Sequence, residues 1–177
     1  MTATKATQLP EPWLRGTLTE VPAVIRAVLH ALELAREDAE RWCGDMTGLE
    51  LNARPKGLSP VAFHLRHISG SVDRLLTYAE GRELSEQQLA ELKRETEPVG
   101  ALPRTLLREF AGSMERAAER IRAFAGANLE EERHVGRKRL PTTVGALLVH
   151  VADHTQRHIG QMVTTAKLVR GLSSENS

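Results

Sequence analysis

Cysteine, aromatic residues and long apolar runs are all scarce in this chain of 177 residues. The single cysteine, Cys43, excludes an internal disulfide and a metal cluster held by several thiolates, and it fits a reducing compartment. Three Phe, two Trp and one Tyr offer little surface on which nucleic-acid bases could stack. We recognise no signal peptide and no run of about 20 apolar residues, the length of a membrane span. These absences predict a cytoplasmic protein.

An excess of charge of one sign is also missing, because 24 Lys and Arg residues stand against 23 Asp and Glu residues. Proteins that bind nucleic acids or membrane surfaces through charge are usually strongly basic. We therefore expect neither nucleic acid nor a membrane as a partner. The length is that of one domain with a sizeable core.

Apolar residues recur at helical spacing in four long segments, with almost no alternating strand pattern between them. Helix start signals are Ser59-Pro60, the capping-box pair Ser85 and Gln88, and Thr142 after Pro141. The sequence predicts four long helices and one extra short helix between the second and the third, at about 19–43, 59–80, 85–96, 102–125 and 142–170. The predicted connecting loops are 44–58 and 126–141.

The fold class that follows is all-α, most simply a four-helix bundle. Residues 1–18 hold prolines, a glycine and threonines without a steady period, so we predict an N-terminal arm there. The bundle is predicted to span residues 19–171, and residues 172–177 are predicted to form a disordered tail.

Three histidines recur at every fourth position of the last predicted helix, at His150, His154 and His158. Each four-residue step turns only about 40° around a helix axis, so the three side chains lie nearly on one face. On a helical wheel His158 lies close to the centre of the apolar face, His154 on its flank and His150 at the rim. Two inward imidazoles one turn apart can bind a single metal ion, which would satisfy both rings.

The second predicted helix adds His64 and His67, three residues apart. Helical periodicity alone favours His64 as the inward residue, so the residues themselves leave both candidates open. A zincin motif is excluded because Val151 replaces the glutamate of His-Glu-x-x-His, and the Glu-x-x-His pairs of di-iron bundles are missing. Three histidines without thiolates are typical of a metal site that keeps open coordination positions.

Other polar residues receive weaker predictions. His30, on the first predicted helix, is expected at the surface or rim. The basic segment Arg133–Arg139 is expected to be a solvated loop, or to hold a carboxylate or phosphate of a cosubstrate if it overhangs the pocket. Three side chains could orient the imidazoles: Asp73, Asp153 and Gln161.

With these residues in view, most of the chain resembles the DinB/YfiT-like superfamily of four-helix metal proteins. One anchor is Ser59 followed two turns later by His67-Ile68, and the other is His154-x-x-x-His158 followed by Gly160-Gln161. The resemblance implies a divalent metal ion, zinc or nickel, held by His67, His154 and His158. His64 would then lie beside the metal or simply pack in the core, and His150 would support a ligand or lie at the surface. Helical periodicity leaves open whether His64 replaces His67 as a ligand.

The resemblance also implies a function. Some members look like metal-dependent hydrolases, and others are similar to thiol S-transferases that use a low-molecular-weight thiol such as bacillithiol or mycothiol. We expect the metal to activate a thiol or water that reacts with a small-molecule substrate, and we assign no catalytic side chain. We also expect the protein to be a homodimer. The alternative is a non-catalytic helical bundle that binds a metal or small ligand in a stress response.

Overall fold

The structure, a computed structural model, describes residues 9–100 and 102–175. Helices dominate this part of the chain, which confirms the predicted helical class. The elements, in chain order, are α1 (Ala23–Cys43), α2 (Gly48–Asn52), α3 (Val61–Ala79), α4 (Glu86–Arg94), α5 (Pro103–Arg122), β1 (Glu132–Val135), β2 (Leu140–Thr143) and α6 (Val144–Glu175). Single turns of 3-10 helix lie at Pro12–Leu14 and Pro55–Gly57.

One apolar core lies between the four long helices α1, α3, α5 and α6. Both α1 and α3 contact both α5 and α6. Fully buried residues from all four helices fill the centre, among them Ile25, Leu32, Leu65, Ile68, Leu76, Phe110, Ile121, Leu148 and Met162. The arrangement places α3 against α6 along their length, so the histidines of the two helices face a shared seam. Among the described helices, none is long and apolar enough to cross a membrane.

Two helix starts differ from the predictions by one residue. Pro60, not Ser59, is the N-cap of α3, and no side chain caps this helix. At the start of α6 the Thr143 hydroxyl, not that of Thr142, accepts the Ala146 N–H at 3.2 Å. The serine and threonine signals locate these starts correctly, but a proline or a second threonine at the next position shifts the cap.

The ends of the chain also differ from the prediction. α6 continues past Gly171 to Glu175, through most of the segment predicted as a tail. A single glycine in a helical pattern costs only about 1 kcal/mol and need not end the helix. Residues 176–177, and residues 1–8 of the predicted arm, lie outside the described residues. The rest of the arm is tied to α1, because Arg15 forms ion pairs of 3.0 and 2.6 Å with Glu33 and Glu37.

Both predicted loops contain regular structure. The segment 44–58 includes α2, which begins with a capping box between Thr47 and Glu50. The segment 126–141 includes β1 and the first residues of β2, which pair as an antiparallel hairpin with Arg133 opposite Thr142. The strands have four residues each and are mostly polar, so they carry no alternating apolar signal from which they could be predicted.

The short helix α4 confirms the predicted capping box, since Ser85 and Gln88 each bond the other's backbone N–H. No residue of α4 is buried. It is attached to α3 by polar contacts: the Gln88 amide donates to the Asp73 carboxylate at 2.6 Å and to the Thr77 hydroxyl at 2.9 Å. The predicted end of this helix, near 96, lies two residues beyond Arg94.

Candidate metal centre

Three imidazoles meet in the seam between α3 and α6. His67, His154 and His158 each offer one ring nitrogen within 4.8 Å of the other two. The Nε2 atoms of His67 and His154 are 3.0 Å apart, and the ring centroids of the three lie 4.4 to 5.1 Å from one another. Two nitrogens bound to one tetrahedral zinc ion lie about 3.3 Å apart. The separation of the His67 and His154 nitrogens is therefore close to the spacing that a shared cation would require.

Local helix geometry explains half of this arrangement. His154 and His158 are one turn apart on α6, and Val151, Thr155 and Ile159 on the neighbouring positions are buried against the other helices. His67 comes from α3, which packs along α6. The predicted set thus comes together from two helices that are far apart in the sequence but adjacent in the fold.

His64 takes a different place from His67, although helical periodicity favoured it as the inward residue. It is indeed the more deeply buried of the two, with 3% of its surface exposed. Its Nδ1 lies 3.1 Å from Nδ1 of His158. His64 therefore supports the ring of His158, while His67 supplies the nitrogen that faces His154.

The surroundings keep these rings neutral near pH 7. Burial, together with the charges of neighbouring imidazoles, lowers the pKa of His64 and of His154 to about 4. Burial and the proximity of His67 also lower the pKa of His158. A neutral imidazole has a lone pair to offer, whereas a protonated one repels a cation. His64, His154 and His158 are therefore unprotonated near pH 7, the state in which a ring nitrogen can bind a metal ion.

One side of the centre is accessible to small molecules. His67, His154 and His158 are all partly exposed. Phe63 stacks on the His67 ring, with centroids 5.2 Å apart. His150 is exposed at the rim, as expected, with its ring 5.4 Å from that of His154. The three rings are therefore not sealed in the core, and Phe63 and His150 lie next to them.

Glu95 is the polar residue of this region that the sequence reasoning missed. It follows α4 directly, and its Oε2 lies 2.7 Å from Nδ1 of His67. Its Oε1 accepts a hydrogen bond of 2.7 Å from Nη1 of Arg74. Burial raises the pKa of Glu95, but the bonds to His67 and Arg74 lower it by more, so the carboxyl group is ionised at neutral pH. Arg74 was the available signal, since a buried arginine two turns after His67 requires an anionic partner.

In the described part of the chain, the three residues named as possible partners of the imidazoles make no hydrogen bond to the three converging rings. Two of them pair with arginines, and the third is exposed. Asp73 forms an ion pair of 2.6 Å with Arg120. Asp153 pairs with Arg157 at 2.7 Å and lies 3.5 Å from the rim residue His150. Gln161 is exposed on α6. The carboxylate that contacts His67 is that of Glu95 instead.

The basic segment Arg133–Arg139 does not overhang the histidines. Arg133 donates to the carbonyl oxygen of Ala79, at the C-terminal end of α3. Ala79 is 12 residues beyond His67, which corresponds to about 18 Å along the helix. The hairpin instead borders a separate cleft of about 690 Å³.

Two isolated residues, His30 and Cys43, also lie away from the centre. The expectation that His30 is a surface residue is wrong, because it is 6% exposed and its Nε2 lies 3.1 Å from the hydroxyl of Thr17 in the arm. Cys43 is buried, and burial raises the pKa of its thiol to about 12. Neither residue is placed to take part in chemistry at the histidine cluster.

Comparison with known proteins agrees with the resemblance noted in the sequence. No curated protein matches the chain. A crystal structure of a conserved protein from Enterococcus faecalis is similar in fold, with a TM-score of 0.59 and 19% identity over 84% of this chain and 98% of that one. The family model of the DinB superfamily matches residues 31–162, which include all three converging histidines. This chain therefore belongs to the DinB superfamily.

Proposed function

We propose that this protein binds a divalent metal ion, zinc or nickel, through His67, His154 and His158, and uses it as a metal-dependent thiol S-transferase or hydrolase. The four long helices then form the four-helix bundle that carries the site. The observation that supports the proposal is the convergence of three imidazoles from two separate helices. Membership of a superfamily whose members often bind metal adds to it.

The donor set suits this class of ion. Imidazole nitrogen is a good ligand for zinc and nickel, and carboxylate-poor sites are unsuited to magnesium or calcium. The 3.0 Å contact between Nε2 of His67 and Nε2 of His154 also needs something between the two lone pairs. Either a proton or a cation can fill that role, and a cation would serve His158 as well.

Three protein ligands leave coordination positions for a further molecule. A bound divalent ion of this kind would lower the pKa of a coordinated water or thiol, and both metal-dependent hydrolases and thiol transferases use this chemistry. Cys43 cannot serve as an internal nucleophile, because it is buried and its pKa is about 12. The nucleophile must therefore enter from solvent, and the partly exposed face beside Phe63 and His150 leaves room for it.

Elemental analysis of untagged protein that has never met a nickel column tests the metal proposal. We expect stoichiometric zinc or nickel in the wild type, none in the double variant His154→Ala/His158→Ala, and wild-type content in the control His134→Ala. His134 is a matched control because it is a partly exposed histidine of the hairpin. A wild-type protein without metal, whose stability does not change in the double variant, would indicate a purely structural bundle.

Activity requires a second measurement on the metal-loaded protein. We expect the protein to accelerate the reaction of low-molecular-weight thiols with soluble electrophiles, or the hydrolysis of activated esters and amides, relative to the same reaction without protein. The double variant should lose this acceleration. Stoichiometric metal with no acceleration of either reaction would instead identify a metal-binding module without turnover.

A further inference from the structure

Glu95 is a buried carboxylate in an otherwise exposed segment. None of the nine residues of α4 is buried, whereas Glu95, which follows them, is 5% exposed. Burying a carboxylate is unfavourable unless its oxygens are paired. Both oxygens of Glu95 have partners, His67 for Oε2 and Arg74 for Oε1, at 2.7 Å each. These two contacts are therefore what hold the side chain in place.

The contact with His67 determines where that imidazole carries its hydrogen. An ionised carboxylate only accepts hydrogen bonds, so Nδ1 of His67 must donate. A neutral imidazole has a single N–H, which leaves Nε2 with a lone pair. Nε2 is also the atom that lies 3.0 Å from Nε2 of His154. We propose that Glu95 is a positioning residue, which holds His67 as the Nδ1–H tautomer and directs Nε2 into the cluster.

The sequence around His67 leaves space for this arrangement. A Cβ atom added at Gly70 would lie 2.5 Å from Oε1 of Glu95 and 2.7 Å from Nη1 of Arg74. The two charged side chains thus cross α3 directly over its glycine. Arg74 also donates to the hydroxyl of Ser71 at 3.2 Å, and that hydroxyl lies 3.3 Å from Nε2 of His67. His67 is consequently held from both of its nitrogens.

The assignment deepens the proposed function, because a histidine that binds metal through one nitrogen usually donates its other N–H to a carboxylate or carbonyl. It does not depend on the metal for its first test, which concerns the ring of His67 alone. The variant to use is Glu95→Gln. A glutamine has one oxygen for two donors, and Arg74 is permanently charged, so the oxygen stays with Arg74 and the amide NH₂ group faces Nδ1 of His67.

Nitrogen-15 NMR of the metal-free protein measures the tautomer. We expect the wild type to show His67 protonated at Nδ1, and Glu95→Gln to move the hydrogen wholly or partly to Nε2. The matched control Glu97→Gln makes the same change two residues further on, at an exposed side chain, and should retain the wild-type tautomer. His67 protonated at Nε2 in the wild type, or an unchanged tautomer in Glu95→Gln, would overturn the assignment.

Zinc affinity, measured with zinc alone by competition against a chelator, is the second readout. Loss of an outer hydrogen-bond partner typically weakens metal binding about 10- to 100-fold. We expect a decrease of that size in Glu95→Gln and less than about a twofold change in Glu97→Gln. Equal affinities in the wild type and Glu95→Gln would count against Glu95. A wild type that binds neither zinc nor nickel would defeat the proposed function, while the NMR result would still decide the tautomer.

Gly70→Ala provides an independent variant should Glu95→Gln fail to fold. It leaves Glu95 and Arg74 intact but displaces both from their places over α3. We expect the same change in the His67 tautomer, with circular dichroism confirming that the helices are retained. A folded Gly70→Ala protein with the wild-type tautomer would speak against control by Glu95.

Discussion

Two short segments of this chain are both rich in side chains that can bind ligands. Residues 150–158 carry three histidines, and residues 133–139 carry four arginines or lysines and one histidine. In α6, two of the three histidines point into the seam with α3 and meet a third ring. In the hairpin, Arg133 binds the carbonyl of Ala79 and the carboxylate of Glu131, while Arg137, Lys138 and Arg139 are exposed.

The difference follows from backbone geometry. A helix places residues four apart on one face, so a repeated side chain accumulates at one point and a packed partner helix can add to it. In the basic segment only Arg133 and His134 lie in a strand, which sends successive side chains to opposite faces, and the other three cations lie in the turn. A two-stranded hairpin has no second layer over which any of them could converge. A segment rich in functional side chains therefore indicates a site only when the backbone brings those side chains together.

The largest expected contrast between the two regions is in metal affinity. His158→Ala should lower zinc affinity by more than about 100-fold, because loss of a ligand exceeds the effect of losing an outer partner. His134→Ala, in the hairpin, should leave the affinity unchanged. Chelator competition measures both, and equal losses in the two variants would remove the distinction between the regions.

Glycine replacements separate the two regions by mechanism. Gly70→Ala should change the free energy of unfolding by less than about 1 kcal/mol, because the new methyl group meets only the movable ends of Glu95 and Arg74 and alanine is favoured over glycine in a helix by about 1 kcal/mol. It should nevertheless weaken zinc binding. Gly136→Ala should cost about 1–2 kcal/mol, because Gly136 has a φ of +69°, yet leave zinc binding unchanged. Urea denaturation and zinc titration of both variants test this; weaker zinc binding in Gly136→Ala would link the hairpin to the centre.

The pH dependence of stability tests the burial of the histidine cluster. His64 has a pKa of about 4 in the folded protein and an ordinary value near 6.5 when unfolded, so the unfolded chain binds more protons between these values. Its contribution is complete above pH 6.5 and is lost as the pH falls toward 4. For the metal-free protein we expect a loss of about 1 kcal/mol from His64 between pH 7.5 and 6.

Denaturation of the wild type and of His64→Gln across this pH range isolates that contribution. The variant starts less stable, because His158 loses a partner at 3.1 Å, but its stability should change less with pH. Parallel curves for the two proteins would show that His64 is not held neutral by the fold.

The smallest effects are expected from the cations at the turn of the hairpin. Arg137→Ala and Lys138→Ala should each change the free energy of unfolding by less than about 0.5 kcal/mol, because exposed side chains contribute little. Zinc affinity should stay at the wild-type value. A clear loss of either quantity would show that these cations interact with more than solvent.

Much of the fold could be predicted because its signals are local. The apolar stripes located all four long helices, and the pair Ser85 and Gln88 identified α4 with its cap. The hairpin could not be predicted, since its two polar four-residue strands have neither length nor alternation. The cap of α3 was misplaced by one residue for a similar reason, because Ser59 and Pro60 are both acceptable at a helix start.

The candidate site divides in the same way. His154 and His158 could be paired from their spacing alone, and the structure brings both to one point with His67. The choice between His64 and His67 could not be made by periodicity, because both rings enter the seam, one behind His158 and one beside His154. That His67, His154 and His158 bind a metal stays a prediction. Glu95 was missed because it meets His67 across 28 residues of chain, and Arg74 indicates only that an anionic partner exists, without saying which residue supplies it.

By itself the sequence determined the helices, their apolar faces and the alignment of two histidines along α6, because each depends on residues within a turn or two of one another. Only the tertiary structure decided which histidine of α3 faces that pair, that Glu95 reaches it over Gly70, and that the basic hairpin lies at the other end of α3. Those relations depend on how separate helices pack, and packing brings together residues whose positions in the sequence carry no trace of the contact.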